Sequence, residues 1–131
     1  MIYLDSCIVI YLVEKHPVFY KPVEERFRED AAEGFAISPL VILECVVGPL
    51  KRKDAELERR FEQFFTTATH LELNETVFRD AARKRARLGL KTPDALHLSV
   101  AEHYGCSQVW TNDNRLSKVA PLAVNVLEDV S

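Results

Sequence analysis

Short apolar runs alternate with longer amphipathic segments along the whole chain, and this alternation constrains the fold more than any other feature. Met1–Leu4, Phe35–Ile37, Thr69–Leu73, Gln108–Thr111 and Val124–Leu127 are brief and rich in β-branched or aromatic residues, and they read as strands. Between them the spacing predicts helices over Ser6–Lys15 and Val18–Glu33, from Ser38-Pro39 to Gly48-Pro49, and over Lys51–Phe65. Further helices are expected from Asn74 to Leu88 and from Thr92-Pro93 to Gly105, with a helical turn at Asn114–Lys118. Strands that alternate with helices imply a parallel sheet covered on both sides. The expected architecture is therefore α/β: a three-layer sandwich, a mostly parallel five-stranded sheet with helices on both faces. With 131 residues, one domain over 1–131 is expected.

Local chemistry supports these boundaries. Ser6, Ser38 and Thr92 offer capping hydroxyls, and Pro39 and Pro93 suit the first helical position. Asn74 is a further cap, His16-Pro17 breaks a helix, and Gly34, Gly89 and Gly105 stop others.

Composition narrows the function classes. Cys7, Cys45 and Cys106 are odd in number and lack CxxC spacing, which argues against a disulfide framework or a zinc ribbon. Free thiols fit a reducing compartment, and no secretory segment follows Met1, so a cytoplasmic location is expected. No apolar run approaches the ~20 residues that span a bilayer, so no membrane partner is expected. The net charge of −3 is weak guidance on nucleic-acid binding, since the local distribution of charge matters more than its sum. Neither GxxxxGK[ST] nor GxGxxG occurs, and no Ser-His-Asp signature stands out.

Four acids occupy the same kind of junction. Asp5 ends the first strand, Asp113 follows the fourth, and Glu44 and Asp94 lie on helices entered from strand ends or loops. Each has an ordinary reading: Asp94 as a complement to the helix dipole, Asp113 as a turn residue, Glu44 as a solvent-facing acid, Asp5 as a strand end. Glu44, however, is surrounded by Val41, Ile42, Leu43, Val46 and Val47, and in parallel sheets ligands bind at the carboxyl ends of strands. Two carboxylates ~4 Å apart at an effective dielectric near 20 repel by about 4 kcal/mol, so a cluster persists only when a cation or protons neutralise it. Hard divalent ions such as Mg²⁺ favour such oxygen ligands. Ser6 and Thr111 could orient a carboxylate or a bound water.

Four ordered motifs carry a family resemblance. They are Ile2-Tyr3-Leu4-Asp5-Ser6, Glu44-Cys45-Val46-Val47-Gly48, Thr92-Pro93-Asp94-Ala95-Leu96-His97 and Thr111-Asn112-Asp113-Asn114-Arg115-Leu116. Together they resemble the PIN-domain ribonucleases, specifically the VapC-type toxins of prokaryotic toxin–antitoxin pairs. The resemblance implies a PIN-like fold and a Mg²⁺- or Mn²⁺-dependent endoribonuclease that cleaves RNA with metal-activated water. Asp5, Glu44, Asp94 and Asp113 would be its acidic quartet, with Asp5 and Asp94 the foremost metal ligands and Ser6 and Thr111 in support. A homodimer and a cognate antitoxin are implied partners. Cys7 departs from the Asn of many relatives, which changes only local hydrogen bonding.

Remaining features have two readings each. Arg79, Arg83, Lys84, Arg85, Arg87 and Lys91 form a basic helix and exit that could hold an RNA backbone or simply face water. Lys51, Arg52, Lys53, Arg59 and Arg60, interleaved with acids, read as a solvated face. His97, one turn after Asp94, reads as a packed helix histidine that could approach the pocket. Tyr3, Tyr11, Phe19, Tyr20 and Phe27 read as core or as a partner-facing patch. Two alternatives come from other classes, and a third, of similar fold, is a closer rival. A receiver domain would need adjacent acids after strand one and an Asp after strand three, and both are missing. A non-catalytic PIN-like module that binds RNA or protein, and a nuclease directed at DNA, are the others.

Overall fold

The computed structural model describes residues 1–127; the last four residues of the expected 1–131 domain lie outside that range. Five strands, β1 (Ile2–Leu4), β2 (Phe35–Ile37), β3 (Thr69–His70), β4 (Gln108–Thr111) and β5 (Ala123–Asn125), form one sheet in the order β3-β2-β1-β4-β5. All four strand pairings are parallel, so the expected mostly parallel sheet is parallel throughout its described part. β1 is central, with Tyr3 opposite Ala36 on one side and Val109 on the other. A strand covered on both faces carries an unbroken apolar run, and all three residues of β1 are buried.

The helices are α1 (Ser6–Val13), α2 (Tyr20–Glu29), α3 (Pro39–Arg52), α4 (Ala55–Phe65), α5 (Glu75–Leu88), α6 (Thr92–His103) and α7 (Asn114–Val119), with a 3₁₀ turn at Ala31–Glu33. The chain steps outward from β1 through β2 to β3, then returns past β1 to β4 and β5. Right-handed crossovers send helices to opposite faces when the direction of stepping reverses. Accordingly α1 packs on α2 and α3, and α3 on α4, while α5 packs on α6. The reversal lies between β1 and β4, and there the carboxyl ends of adjacent strands open a crevice. Trp110, Tyr3, Phe61, Leu4 and Ile8 are among the largest fully buried side chains.

Several boundaries differ from expectation. The third helix does not stop at Gly48-Pro49 but continues to Arg52, with Pro49 buried. It ends instead at Lys53 in the left-handed region (φ 54°), and the Asp54 side chain then caps α4 by accepting from the Leu57 N–H at 3.0 Å. The second helix begins only at Tyr20, and its expected last turn becomes the 3₁₀ turn. Asp5, not Ser6, caps α1, and Lys91, not Thr92, occupies the cap position of α6. β3 is shorter than expected, and the fifth strand ends at Asn125 rather than Leu127.

Candidate functional site

Asp5 leaves β1 with an extended backbone and starts α1. Its Oδ1 accepts from the Ser6 N–H at 2.6 Å and lies 3.4 Å from the Ser6 hydroxyl, while its Oδ2 accepts from the Thr111 hydroxyl at 3.1 Å. Thr111 ends β4 and is fully buried, and its Oγ1 also accepts the Asp113 N–H at 3.1 Å. Both hydroxyls expected to support the acids therefore touch Asp5.

Glu44 reaches the same point from α3. His97 Nε2 lies 2.7 Å from Glu44 Oε1 and 3.7 Å from Asp5 Oδ1. Asp5, Glu44 and His97 each offer a ligand atom, all within 4.8 Å of one another. Partial burial raises the Glu44 carboxyl, but the hydrogen bond from His97, helped by one from Ser6, carries it below the usual range.

Asp94 lies in the first turn of α6, behind Pro93. Partial burial, then the charges of Asp5, Asp113 and Glu44, push its carboxyl above the usual range, with His97 opposing. Asp113 caps α7, its Oδ1 accepting from the Arg115 N–H at 2.8 Å and the Leu116 N–H at 3.4 Å. Asp94 and Asp113 line a cleft of about 200 Å³ with Lys91, Arg115 and the apolar Leu90 and Val119. The structure thus brings all four acids to one end of the sheet. Asp5 and Glu44 share the tightest group, and Asp94 and Asp113 line the cleft. Acids gathered this closely, with the Asp94 carboxyl raised by burial and by its acidic neighbours, suit a divalent cation, and their oxygens suit a hard one.

Sequence reasoning undervalued two residues. His97 is not only packed: it is 2% exposed and hydrogen-bonds an acid of the site. Its place one turn after Asp94 was the available signal. Tyr3, read as core, places its hydroxyl 2.6 Å from His97 Nδ1 and 2.8 Å from Ser38 Oγ. Residues i and i+2 of a strand share a face, so its position two residues before Asp5 carried that information. Ser38, expected as a helix cap, makes no capping bond and turns to Tyr3 instead.

The basic helix resolves into separate fates. Lys84 is buried against Glu102 (2.9 Å), Arg79 pairs with Glu75 and Arg83 with Asp80, and Arg85 donates to the Leu90 carbonyl. Lys91 stays at the cleft.

The family model described as PIN domain matches residues 2–122. No curated protein matches the chain. Among solved structures, a toxin–antitoxin complex from Klebsiella pneumoniae superposes with a TM-score of 0.81 at 20% identity, covering 96% of this chain and 98% of that one. VapBC2 from Rickettsia felis, bound to a DNA fragment from its promoter, gives 0.79 at 21% identity, covering 95% and 98%. VapC20 of Mycobacterium tuberculosis, described as a toxin that cleaves the sarcin–ricin loop, gives 0.76 at 14% identity, covering 92% and 95%. Likeness at these identities establishes a shared fold.

Proposed function

Since the chain belongs to the PIN-domain family, we propose that it is a divalent-metal-dependent endoribonuclease, the toxin of a VapBC-type pair, acting as one domain over 1–131. The observation that carries this reading is the meeting of Asp5, Glu44 and His97 beside Asp94, whose carboxyl is raised by partial burial and by its acidic neighbours. Mg²⁺ or Mn²⁺, when bound, supplies Lewis-acid activation of water and neutralises charge at phosphorus. Asp5, Glu44, Asp94 and Asp113 are the residues that would hold it. Thr111 and Ser6 fix the Asp5 carboxylate through one hydrogen bond on Oδ2 and donors on Oδ1, so both oxygens keep a set direction. Lys91 and Arg115, at the rim of the cleft, would take the backbone phosphates of a single-stranded segment.

RNA as substrate is supported by the activity described for the M. tuberculosis neighbour, and an antitoxin by the Klebsiella complex. The exposed apolar residues Leu43, Val47 and Leu50, spaced along one side of α3, give a surface for such a partner or for a second copy.

Purified protein incubated with total cellular RNA in Mg²⁺ or EDTA tests the reading, with Asp94→Asn alongside. Discrete fragments that require both metal and Asp94 are expected. Equal cleavage by the variant would remove Asp94 from the site. No cleavage by folded, antitoxin-free protein would favour a module that binds without cutting, and faster cutting of single-stranded DNA would redirect the substrate.

A further inference from the structure

Behind Glu44 lies a chain of polar groups that the nuclease reading does not use. Ser38 Oγ is 2.8 Å from the Tyr3 hydroxyl, which is 2.6 Å from His97 Nδ1, and His97 Nε2 is 2.7 Å from Glu44 Oε1. Ser38 and Tyr3 are fully buried, and His97 nearly so, while Glu44 faces the crevice. Buried polar groups of this kind cost stability unless each is satisfied, and here each is.

The donor order follows from chemistry. An ionised carboxylate only accepts, so the proton between His97 and Glu44 belongs to Nε2. In the neutral ring Nδ1 then accepts, and the donor facing it is the Tyr3 hydroxyl. A phenol keeps its proton at neutral pH and can donate it to Nδ1. The Tyr3 oxygen in turn accepts from Ser38. Asp5, 3.7 Å from Nε2, also faces the ring and favours a proton on the same nitrogen, and Asp94 interacts with His97 as well.

We propose that His97 and Tyr3 are positioning residues: the one-way chain Ser38→Tyr3→His97 fixes the tautomer of His97 and thereby the orientation of Glu44 toward the metal. Tyr3 lies in β1 and Asp5 directly follows it, so a single strand sets one acid directly and another through His97. This inference rests on the reading of Glu44 as a metal-holding residue. His97 itself is spent at both ring nitrogens, which distinguishes it from a direct ligand. Partners that orient a ligand in this way are worth about 10–100-fold in metal affinity or activity.

The first test needs neither metal nor RNA. In metal-free protein with ¹⁵N-labelled imidazoles, two-bond ¹H–¹⁵N spectra, assigned by the signal missing in His97→Gln, should show His97 protonated at Nε2 and bare at Nδ1. A proton on Nδ1 would overturn the chain. The second test is calorimetric titration with Mn²⁺: Tyr3→Phe, folded by circular dichroism, should bind about 10–100-fold more weakly than wild type. Unchanged affinity in that folded variant would overturn the positioning role. Should Tyr3→Phe fail to fold, Ser38→Ala carries the same titration, with weaker binding expected and unchanged binding refuting. Wild-type protein that binds Mn²⁺ but cuts no RNA would defeat the nuclease reading while leaving this result standing.

Discussion

Thr111 gives the sharpest separation of stability from function. Its fully buried hydroxyl donates to Asp5 and accepts from the Asp113 N–H, so Thr111→Val removes two hydrogen bonds at nearly constant volume. A bond to a charged acceptor contributes about 1.5–3 kcal/mol and a neutral one about 0.5–1.5 kcal/mol. The added methyl returns about 0.8 kcal/mol. The net loss is roughly 1–4 kcal/mol, or a fall in Tm of roughly 4–15 °C for a domain of this size. Thr111→Ser keeps both bonds and deletes one buried methyl, at about 1 kcal/mol. Urea unfolding in EDTA reads the stabilities, and cleavage of a fixed RNA reads the activity. Thr111→Val should lose about 10–100-fold in cleavage because the Asp5 carboxylate is no longer aimed, whereas Thr111→Ser should keep its activity despite its stability loss. The reasoning fails if Val cleaves as well as Ser, since aim of the carboxylate would then be irrelevant.

Asp94 gives a pH prediction. Its carboxyl is raised in the fold by burial and by Asp5, Asp113 and Glu44, so above that raised value its ionised form weighs against the metal-free native state. Asp94→Asn should therefore stabilise the metal-free protein at neutral pH, with the gain shrinking as the pH falls through the folded value, as urea titrations at several pH values in EDTA would show. Saturating Mg²⁺ should narrow or reverse the order, since a ligand at 100 times its Kd adds about 2.7 kcal/mol to the form that binds it. In the Lys84–Glu102 pair only Lys84 is buried, so Glu102→Leu should cost more than Lys84→Met, because only the first strands a buried charge; denaturant midpoints would rank them. Gly89 ends α5 at φ 70°, so Gly89→Ala should cost about 1 kcal/mol through backbone strain, although an added methyl would meet nothing within 4 Å.

The order of strands and helices was legible because each strand is short, apolar and bounded by turn residues. The boundaries that misled involve competition. Pro49 reads locally as a stop, yet it sits late in α3, where burial outweighs a missing N–H, and the break falls at Lys53. Ser38 reads as a cap, yet a buried phenol claims its hydroxyl. The four acids were visible because carboxylates at strand ends are unusual in apolar surroundings. The role of His97 was not, because a histidine on an apolar helix looks the same whether it packs or bonds, and its partners Tyr3 and Glu44 lie 94 and 53 residues away. The all-parallel sheet explains this: contacts across adjacent parallel strands are remote in sequence, so local pattern records the elements and not their meetings.

The central place of β1 has a consequence for the timing of synthesis. Asp5 is made 106 residues before its Thr111 partner, which comes with Asp113 only at β4, the strand that must dock beside β1. At ~5–20 residues per second this separates the two halves of the site by roughly 5–20 s. A chain halted before Gln108 leaves one edge of β1 bare and lacks both residues. The four acids therefore come together only once β4 has been made and has docked beside β1, and a product truncated before it carries an incomplete acidic site.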